Sequence, residues 1–396
     1  MNQQSPLRIA FFPEYFYPHV GGAETWTANI VKCLTEAGHH VEVFTYRMPG
    51  ATSDQTSFGV IVHRMGKPFV IVGARPYFKR FLIHSACSFL IMMKKGSLFD
   101  IMVGQYSPLL PLKLVSKVRR IPLVAVFHDV YGLESSLHGK GVFRGLVRYV
   151  FGDLLATRVP YDAIIAVSEA TQQKLAHIKC ATREVKIVYN AVDTTLIDAE
   201  SADRVPKQVC FVGRLLKHKH VGDLLQAFAK VRARELSARL LIIGDGEDRS
   251  SLVALAEKLE MTDSVRFTGY VGDREKFRLM KSCELLVLPS TDEGWGNAVT
   301  EAIACGLNTI CYDIPALREQ AQFFSSIQLV PPRDISALSN AILNKLSQGS
   351  RKLVERDSQI IRSDFTWRRR AEELAAFLRL VSKRGVLSEQ QSERSE

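Results

Sequence analysis

The chain has 396 residues, 46% of them hydrophobic and 23% charged, an ordinary globular composition that is too long for a single core. A secretory leader is excluded from the first thirty residues, where the strand-like "RIAFF" runs at once into Pro13 and Glu14. A membrane span is excluded as well, because the longest nearly apolar run, Phe81 to Met93, is too short to cross a bilayer and contains His84. These features predict a cytoplasmic protein of two domains.

Short apolar runs of strand type alternate with helical patterns along most of the chain, which predicts parallel sheets covered by helices. In the first half the strand candidates are "RIAFF" (residues 8–12), "VEVFT" (41–45), "VIVHR" (60–64), "IMVG" (101–104), "PLVAVF" (122–127), "AIIAV" (163–167) and "VKIV" (185–188). A polar, acidic stretch without apolar period, Asn190 to Lys207, reads as a linker. The series then restarts with "QVCFVGR" (208–214), "RLLIIG" (239–244), "VRFTG" (265–269), "ELLVLP" (284–289) and "NTICY" (308–312). The expected fold class is therefore α/β, two doubly wound Rossmann-like domains. Their expected limits are 1–197 and 198–366, followed by residues 367–396.

Ligands of such sheets bind at the carboxyl ends of the strands, where loops lead into helices. Four clusters fall there. "GGAE" (Gly21 to Glu24) opens an amphipathic helix, and its paired glycines would let backbone N–H groups approach a phosphate. "HDVYG" places His128 and Asp129 after a strand. "GRLLKHK" places Arg214 and Lys219 on one loop, two cations that suit a diphosphate. "EGWGNAVTE" sets Glu293 in a loop and Glu301 about one turn inside a helix for which Asn297 is the expected cap. The free N–H groups of that helix start would hold an anion between the two acids. The seven cysteines include no Cys-x-x-Cys pair and read as small buried thiols.

In register, "GGAE", "HD", "NAVD" (190–193), "GRLLKHK", "IIGDGED" (242–248) and "EGWGNAVTEAIACG" (293–306) resemble the retaining GT-B glycosyltransferases of family 4 over almost the whole chain. That resemblance implies two domains facing a cleft, with "FTWRRRAEELAAFLRLV" (365–381) as a closing helix that crosses back to the first domain. It further implies that Arg214 and Lys219 grip the diphosphate of a UDP- or GDP-linked sugar. The backbone of Gly296, Asn297 and Ala298 and the Gly21, Gly22 loop would complete the cradle. Glu301 would bond the ribose, Glu293 the hydroxyls of the transferred hexose, and His128 would lie by that sugar and the acceptor. With two cations on the leaving phosphate no metal or other cofactor is expected, and the chain has no Asp-x-Asp triplet near a strand end. His220 departs from the family's pattern, which has glycine after the lysine, and Trp295 stands where phenylalanine is common.

The whole net charge of +11 falls between Arg64 and Arg158, where fifteen cations face four acids. Two stretches there, 75–96 and 138–155, mix cations with large apolar residues at helical spacing. In the second, Lys140, Arg144 and Arg148 flank Val142, Leu146, Tyr149 and Val150. Basic amphipathic helices are drawn to anionic lipid, so a peripheral enzyme at the inner face of the cell membrane is expected, with a glycan or polyprenyl-linked acceptor. Two rival readings stand beside this one. Sugar-nucleotide epimerases and phosphorylases share the architecture but use further acid, base or lysine groups that the sequence does not display. A nucleic-acid-binding protein would share the basic charge, but no nucleic-acid motif accompanies it.

Overall fold

The computed structural model describes residues 5–19, 21–48, 54–57, 59–66, 77–105, 109–130, 155–177, 184–348 and 352–392. The chain forms two units, one made of residues 1–190 with 367–396 and the other of residues 191–366. The boundary follows Asn190, seven residues before the limit read from the sequence (197 − 190 = 7). The stretch read as a linker begins with structure of its own: Asp193 caps a short helix by accepting from the Leu196 N–H at 2.9 Å, and Val192 donates to Phe365 O at 3.0 Å.

The first unit holds an eight-stranded sheet built from β1 (Arg8–Phe12), β2 (His40–Tyr46), β3 (Asp54–Ser57), β4 (Val60–Met65), β5 (Ile101–Gln105), β6 (Leu123–Phe127), β7 (Ala163–Ala166) and β8 (Val185–Ile187). Their order is β3-β4-β2-β1-β5-β6-β7-β8, and every pairing is parallel except that of β3 with β4. Strands β5, β6 and β7 are buried at every residue, as expected of strands covered on both faces. The helices of this unit are α1 (Gly22–Glu36), α2 (Tyr77–Lys95), α3 (Leu109–Arg119), α4 (Leu155–Arg158) and α5 (Glu169–His177). Met92 of α2 and Leu109, Leu112 and Val115 of α3 share one core with Phe12, Phe44 and Met102 of the sheet. Each large side chain buried there contributes about 1.5–3 kcal/mol. Residues 131–154, which include Lys140, Arg144 and Arg148 and almost all of the second basic stretch, lie outside the described residues.

The second unit carries a six-stranded, wholly parallel sheet of β9 (Gln208–Val212), β10 (Arg239–Ile243), β11 (Val265–Gly269), β12 (Leu285–Leu288), β13 (Asn308–Tyr312) and β14 (Ile327–Val330), in the order β11-β10-β9-β12-β13-β14. Its helices are α6 (Thr194–Asp198), α7 (Val221–Arg232), α8 (Arg249–Lys258), α9 (Asp273–Lys281), α10 (Asn297–Ala304), α11 (Pro315–Phe323), α12 (Ile335–Gln348) and α13 (Lys352–Asp364). The last helix, α14 (Trp367–Ser392), belongs to the first unit, where it packs on α1 and Arg379 donates to Ser5 O at 3.3 Å.

In each sheet the strand order reverses at one point, between β1 and β5 in the first unit and between β9 and β12 in the second. Loops leaving the carboxyl ends of strands at such a point diverge to opposite faces and open a crevice for a ligand. The "GGAE" segment follows β1, whereas "GRLLKHK" and "EGWGNAVTE" follow β9 and β12. Among the described residues no helix is long and apolar enough to cross a membrane.

Candidate active site

Leaving β9, the chain turns at Gly213 and packs directly on the loop after β10. Gly213 N donates to Ile243 O at 3.0 Å, Leu215 N to Asp245 O at 2.9 Å, and Asp248 N to Leu215 O at 3.1 Å. A Cβ on Gly244 would lie 2.0 Å from the Gly213 carbonyl oxygen, so only glycine permits the two backbones to meet. The "IIGDGED" motif thus supports the cationic loop from beneath. Residues Lys217–Lys219 form a single 3-10 turn, and His220, at φ 47°, ψ 39°, redirects the chain into α7.

On this turn Lys219 Nζ donates to Glu293 Oε1 at 2.5 Å, with side chains only 16% and 11% exposed. Two residues read from the sequence as phosphate and sugar contacts therefore touch one another. The Arg214 side chain is exposed and forms no ion pair with a described residue.

The loop after β12 is tied to the same turn, since Thr291 N donates to His218 O at 2.9 Å and Ser290 Oγ to the same oxygen at 3.3 Å. The cap of α10 is Gly296 rather than the expected Asn297, which is the first helical residue. The reason is backbone geometry: the cap has φ 94°, ψ 57°, a left-handed conformation that glycine adopts freely, and an added Cβ would strike Leu317 Cδ2 at 2.8 Å. Gln320 Nε2 fastens this turn through the carbonyls of Trp295 and Gly296. The opening amides of α10, which include those of Asn297 and Ala298, lack intrahelical acceptors and carry partial positive charge.

Glu301, one turn into α10, accepts from Lys276 Nζ of α9 at 2.9 Å, and the same ammonium is 3.0 Å from Asp273. Burial opposes the charge on Lys276, but the two carboxylates outweigh it and hold the ammonium pKa above the usual lysine range. Sequence reading passed over Lys276, because "DREKFRLMK" reads as a charged, solvated helix.

In the first unit, Gly21 is the extended cap of α1 and Gly22 its first residue. Glu24, in the first turn, lies 3.3 Å from His19 Nδ1. Burial alone would raise its pKa, yet His19, the backbone and His128 together bring it below the ordinary carboxylate value. His128, just past the end of β6, is buried with its ring edge-on to Trp26 at 5.3 Å, and its Nε2 has no hydrogen-bond partner among the described residues. Burial outweighs the attraction of Glu24 and brings the imidazole pKa down to about 4, so the ring is neutral near pH 7. Its neighbour Asp129 accepts from Lys174 Nζ at 2.7 Å. Glu24 sat within a quoted motif without a role, and its placement after two glycines at a strand end was the signal for it.

The second unit can thus hold an anion against helix amides and a lysine while two half-buried carboxylates accept hydrogen bonds. The first offers a neutral imidazole that can accept a proton or a hydrogen bond. Among the described residues no group of histidine, cysteine and carboxylate side chains is arranged to hold a metal ion.

Comparisons with known proteins place the chain among the glycosyltransferases. The model of Glycosyltransferase Family 4 matches residues 20–196 and that of Glycosyl transferases group 1 matches residues 193–362. An uncharacterized glycosyltransferase of Methanocaldococcus jannaschii is 21% identical over 395 residues, covering 95% of this chain and 99% of that protein. Among solved structures, sucrose-phosphate synthase from Thermosynechococcus elongatus superimposes with a TM-score of 0.80 at 20% identity, covering 95% of this chain and 99% of the other. Anabaena HepE in complex with UDP-glucose does so with a TM-score of 0.72 at 19% identity, covering 94% and 99%.

Proposed function

The chain belongs to the group 1 glycosyltransferases of GT-B fold, and from that premise we propose that it transfers a hexose, with retention, from a UDP- or GDP-sugar to a membrane-held glycan or lipid-linked acceptor. The observation that carries the donor half of this reading is the Lys219–Glu293 pair, which lies on the loops leaving β9 and β12 at the strand-order reversal. UDP-glucose bound by the similar Anabaena protein supports a nucleotide-sugar donor.

The reaction breaks the anomeric C–O bond through an oxocarbenium-like state while negative charge grows on the leaving diphosphate. Arg214, Lys219 and the amides at the start of α10 act on that growing charge, and so stabilise the transition state more than the ground state. Glu293 accepts from the hydroxyls of the sugar and holds Lys219 in place; Glu301, held by Lys276 at 2.9 Å, accepts from the ribose. His128, neutral at working pH, accepts a hydrogen bond from the transferred sugar or the incoming hydroxyl. Retention follows from attack on the face from which the diphosphate departs, with a phosphate oxygen taking the acceptor's proton. Two protein cations do the phosphate work, and on this reading no divalent metal takes part.

The acceptor half rests on α2 and α3. Five of the twelve exposed large hydrophobic residues among the described ones lie there: Leu82, Leu90, Leu110, Leu114 and Val118. On α3, Leu110, Leu114 and Val118 recur every four residues in one stripe, and Lys94, Lys95, Lys117 and Arg119 are exposed nearby in sequence. Exposed apolar side chains with cations nearby in sequence match the headgroup layer of an anionic bilayer. Incubating the protein with a panel of UDP- and GDP-hexoses tests the donor half: slow release of free sugar from one of them supports the reading, and no release from any of them contradicts it.

A further inference from the structure

Five non-glycine residues among the described ones have left-handed backbone, and two of these, His220 (φ 47°) and Arg333 (φ 66°), meet through their side chains. They stand on different loops, His220 between β9 and α7 and Arg333 between β14 and α12. A left-handed residue bearing a Cβ is disfavoured relative to glycine. The side chains at these two turns therefore carry something that glycine would not.

Hydrogen bonding shows what. An arginine guanidinium has donors only, so Arg333 Nη1 donates to His220 Nδ1, and that ring nitrogen carries no proton. The proton of the neutral ring is then on Nε2, which donates to Thr291 Oγ1 at 3.1 Å. Thr291 in turn donates from its backbone N–H to His218 O at 2.9 Å. Arg333 is itself aimed by Asp223 Oδ1 at 3.4 Å, and the other oxygen of that buried carboxylate accepts from Tyr312 OH at 2.8 Å. Burial and the Arg333 charge outweigh the opposing pull of Asp223, 4.0 Å from the ring, and lower the His220 pKa, which keeps the ring in the neutral form that the chain of bonds requires.

We propose that His220 is a positioning residue for glycosyl transfer, the central link of an Arg333–His220–Thr291 relay that fixes the Lys219 turn against the Glu293 loop. It acts through Lys219, one residue before it, and Glu293, two residues beyond Thr291. The proposal rests on the donor role given above to Lys219 and Glu293. Loosening the relay lets the lysine and the carboxylate drift from the geometry that the transition state needs, so the loss falls on turnover more than on donor KM.

The test compares His220→Gly, Arg333→Gly and the double variant. His220→Gly is expected to lower kcat about 10- to 100-fold with donor KM little changed. Its melting temperature should be unchanged or higher, because glycine relaxes the backbone at that turn. The double variant should be no worse than His220→Gly alone, since both substitutions cut one relay. Turnover of His220→Gly within twofold of wild type, a loss of turnover matched by a loss of stability, or losses that multiply in the double variant would each overturn the proposal. Nitrogen-15 spectra of the imidazoles decide the relay without any enzyme assay. The Nε2–H tautomer of His220, shifting in Arg333→Gly, supports it, and the Nδ1–H tautomer in wild type refutes it. Failure of the wild type to turn over any nucleotide sugar would strike the function reading and leave these spectra to decide the relay.

Discussion

Lys276 and Glu301 meet at 2.9 Å across α9 and α10, with side chains 16% and 17% exposed. Neither helix would place a charge so far inside on its own account, because burying an ionised group is costly unless it is paired. The pair keeps the Lys276 ammonium charged and fixes the direction in which the Glu301 carboxylate faces. Replacing Lys276 by Met removes a hydrogen bond between charged partners and leaves the carboxylate uncompensated. We predict a loss of about 1.5–3 kcal/mol in urea unfolding, together with a raised donor KM. Unaltered stability and KM would show that the pair is ornamental.

Arg214 and Lys219 are predicted to separate by phenotype. Either substitution by Ala removes interactions that strengthen as charge develops on the phosphate, about 2–4 kcal/mol each in transition-state stabilisation. Arg214 is exposed and bonded to no carboxylate among the described residues, so Arg214→Ala should leave unfolding unchanged. Lys219→Ala abandons the Glu293 carboxylate, 11% exposed, and should lower stability as well. Turnover of the double variant within threefold of wild type would remove both residues from the mechanism.

Transfer is predicted to persist in EDTA at its full rate, since two protein cations are assigned to the diphosphate. Complete loss in EDTA, restored by magnesium or manganese, would contradict that assignment.

Acid should weaken the first unit through two histidines. His128 and His84, the latter in tilted contact with the Tyr46 ring at 4.4 Å, both have pKa values brought down to about 4 from 6.5 by burial. Between pH 6.5 and about 4 the unfolded chain binds these protons and the folded chain does not. Stability is therefore fully present above pH 6.5 and falls as the pH drops through this window, by an order of magnitude of 3 kcal/mol for each ring. Unfolding measured from pH 7 to pH 4 should show that slope, and a His84→Phe variant should flatten it; equal slopes in the variant and the wild type would refute the assignment for His84.

Vesicle flotation is predicted to recover the protein with anionic but not neutral liposomes, and Leu110→Glu with Leu114→Glu should abolish recovery while leaving donor hydrolysis intact. Equal recovery with both lipids, unaffected by the substitutions, would leave α2 and α3 as a surface for some other partner.

Much of this architecture was legible because it is periodic. Buried strands such as "LVAVF" and "AIIA" announce themselves as short apolar runs, and the loops between them follow in register. The strands that escaped notice lack that signal: β3 is the polar "DQTS" held only along β4, and β14, "IQLV", is too short and half-exposed to stand out. The same limit applies to the site. Glu293 and Glu301 are recognisable because their eight-residue spacing is local, whereas the bonds Lys219–Glu293, Lys276–Glu301 and Arg333–His220 span 74, 25 and 113 residues. Contacts at such separations are created by the order of strands in the sheet and leave no period to read. The cap at Gly296 was misread for a related reason: Asn297 has the side chain of a cap, but the left-handed turn before it already fills that role.

The most direct measurement of the central claim is proton NMR of the sugar released from an α-linked UDP- or GDP-hexose by the wild-type protein, observed before mutarotation. The account predicts nucleotide-sugar turnover in which the α anomer appears first. First appearance of the β anomer, or no release from any nucleotide sugar, would contradict it.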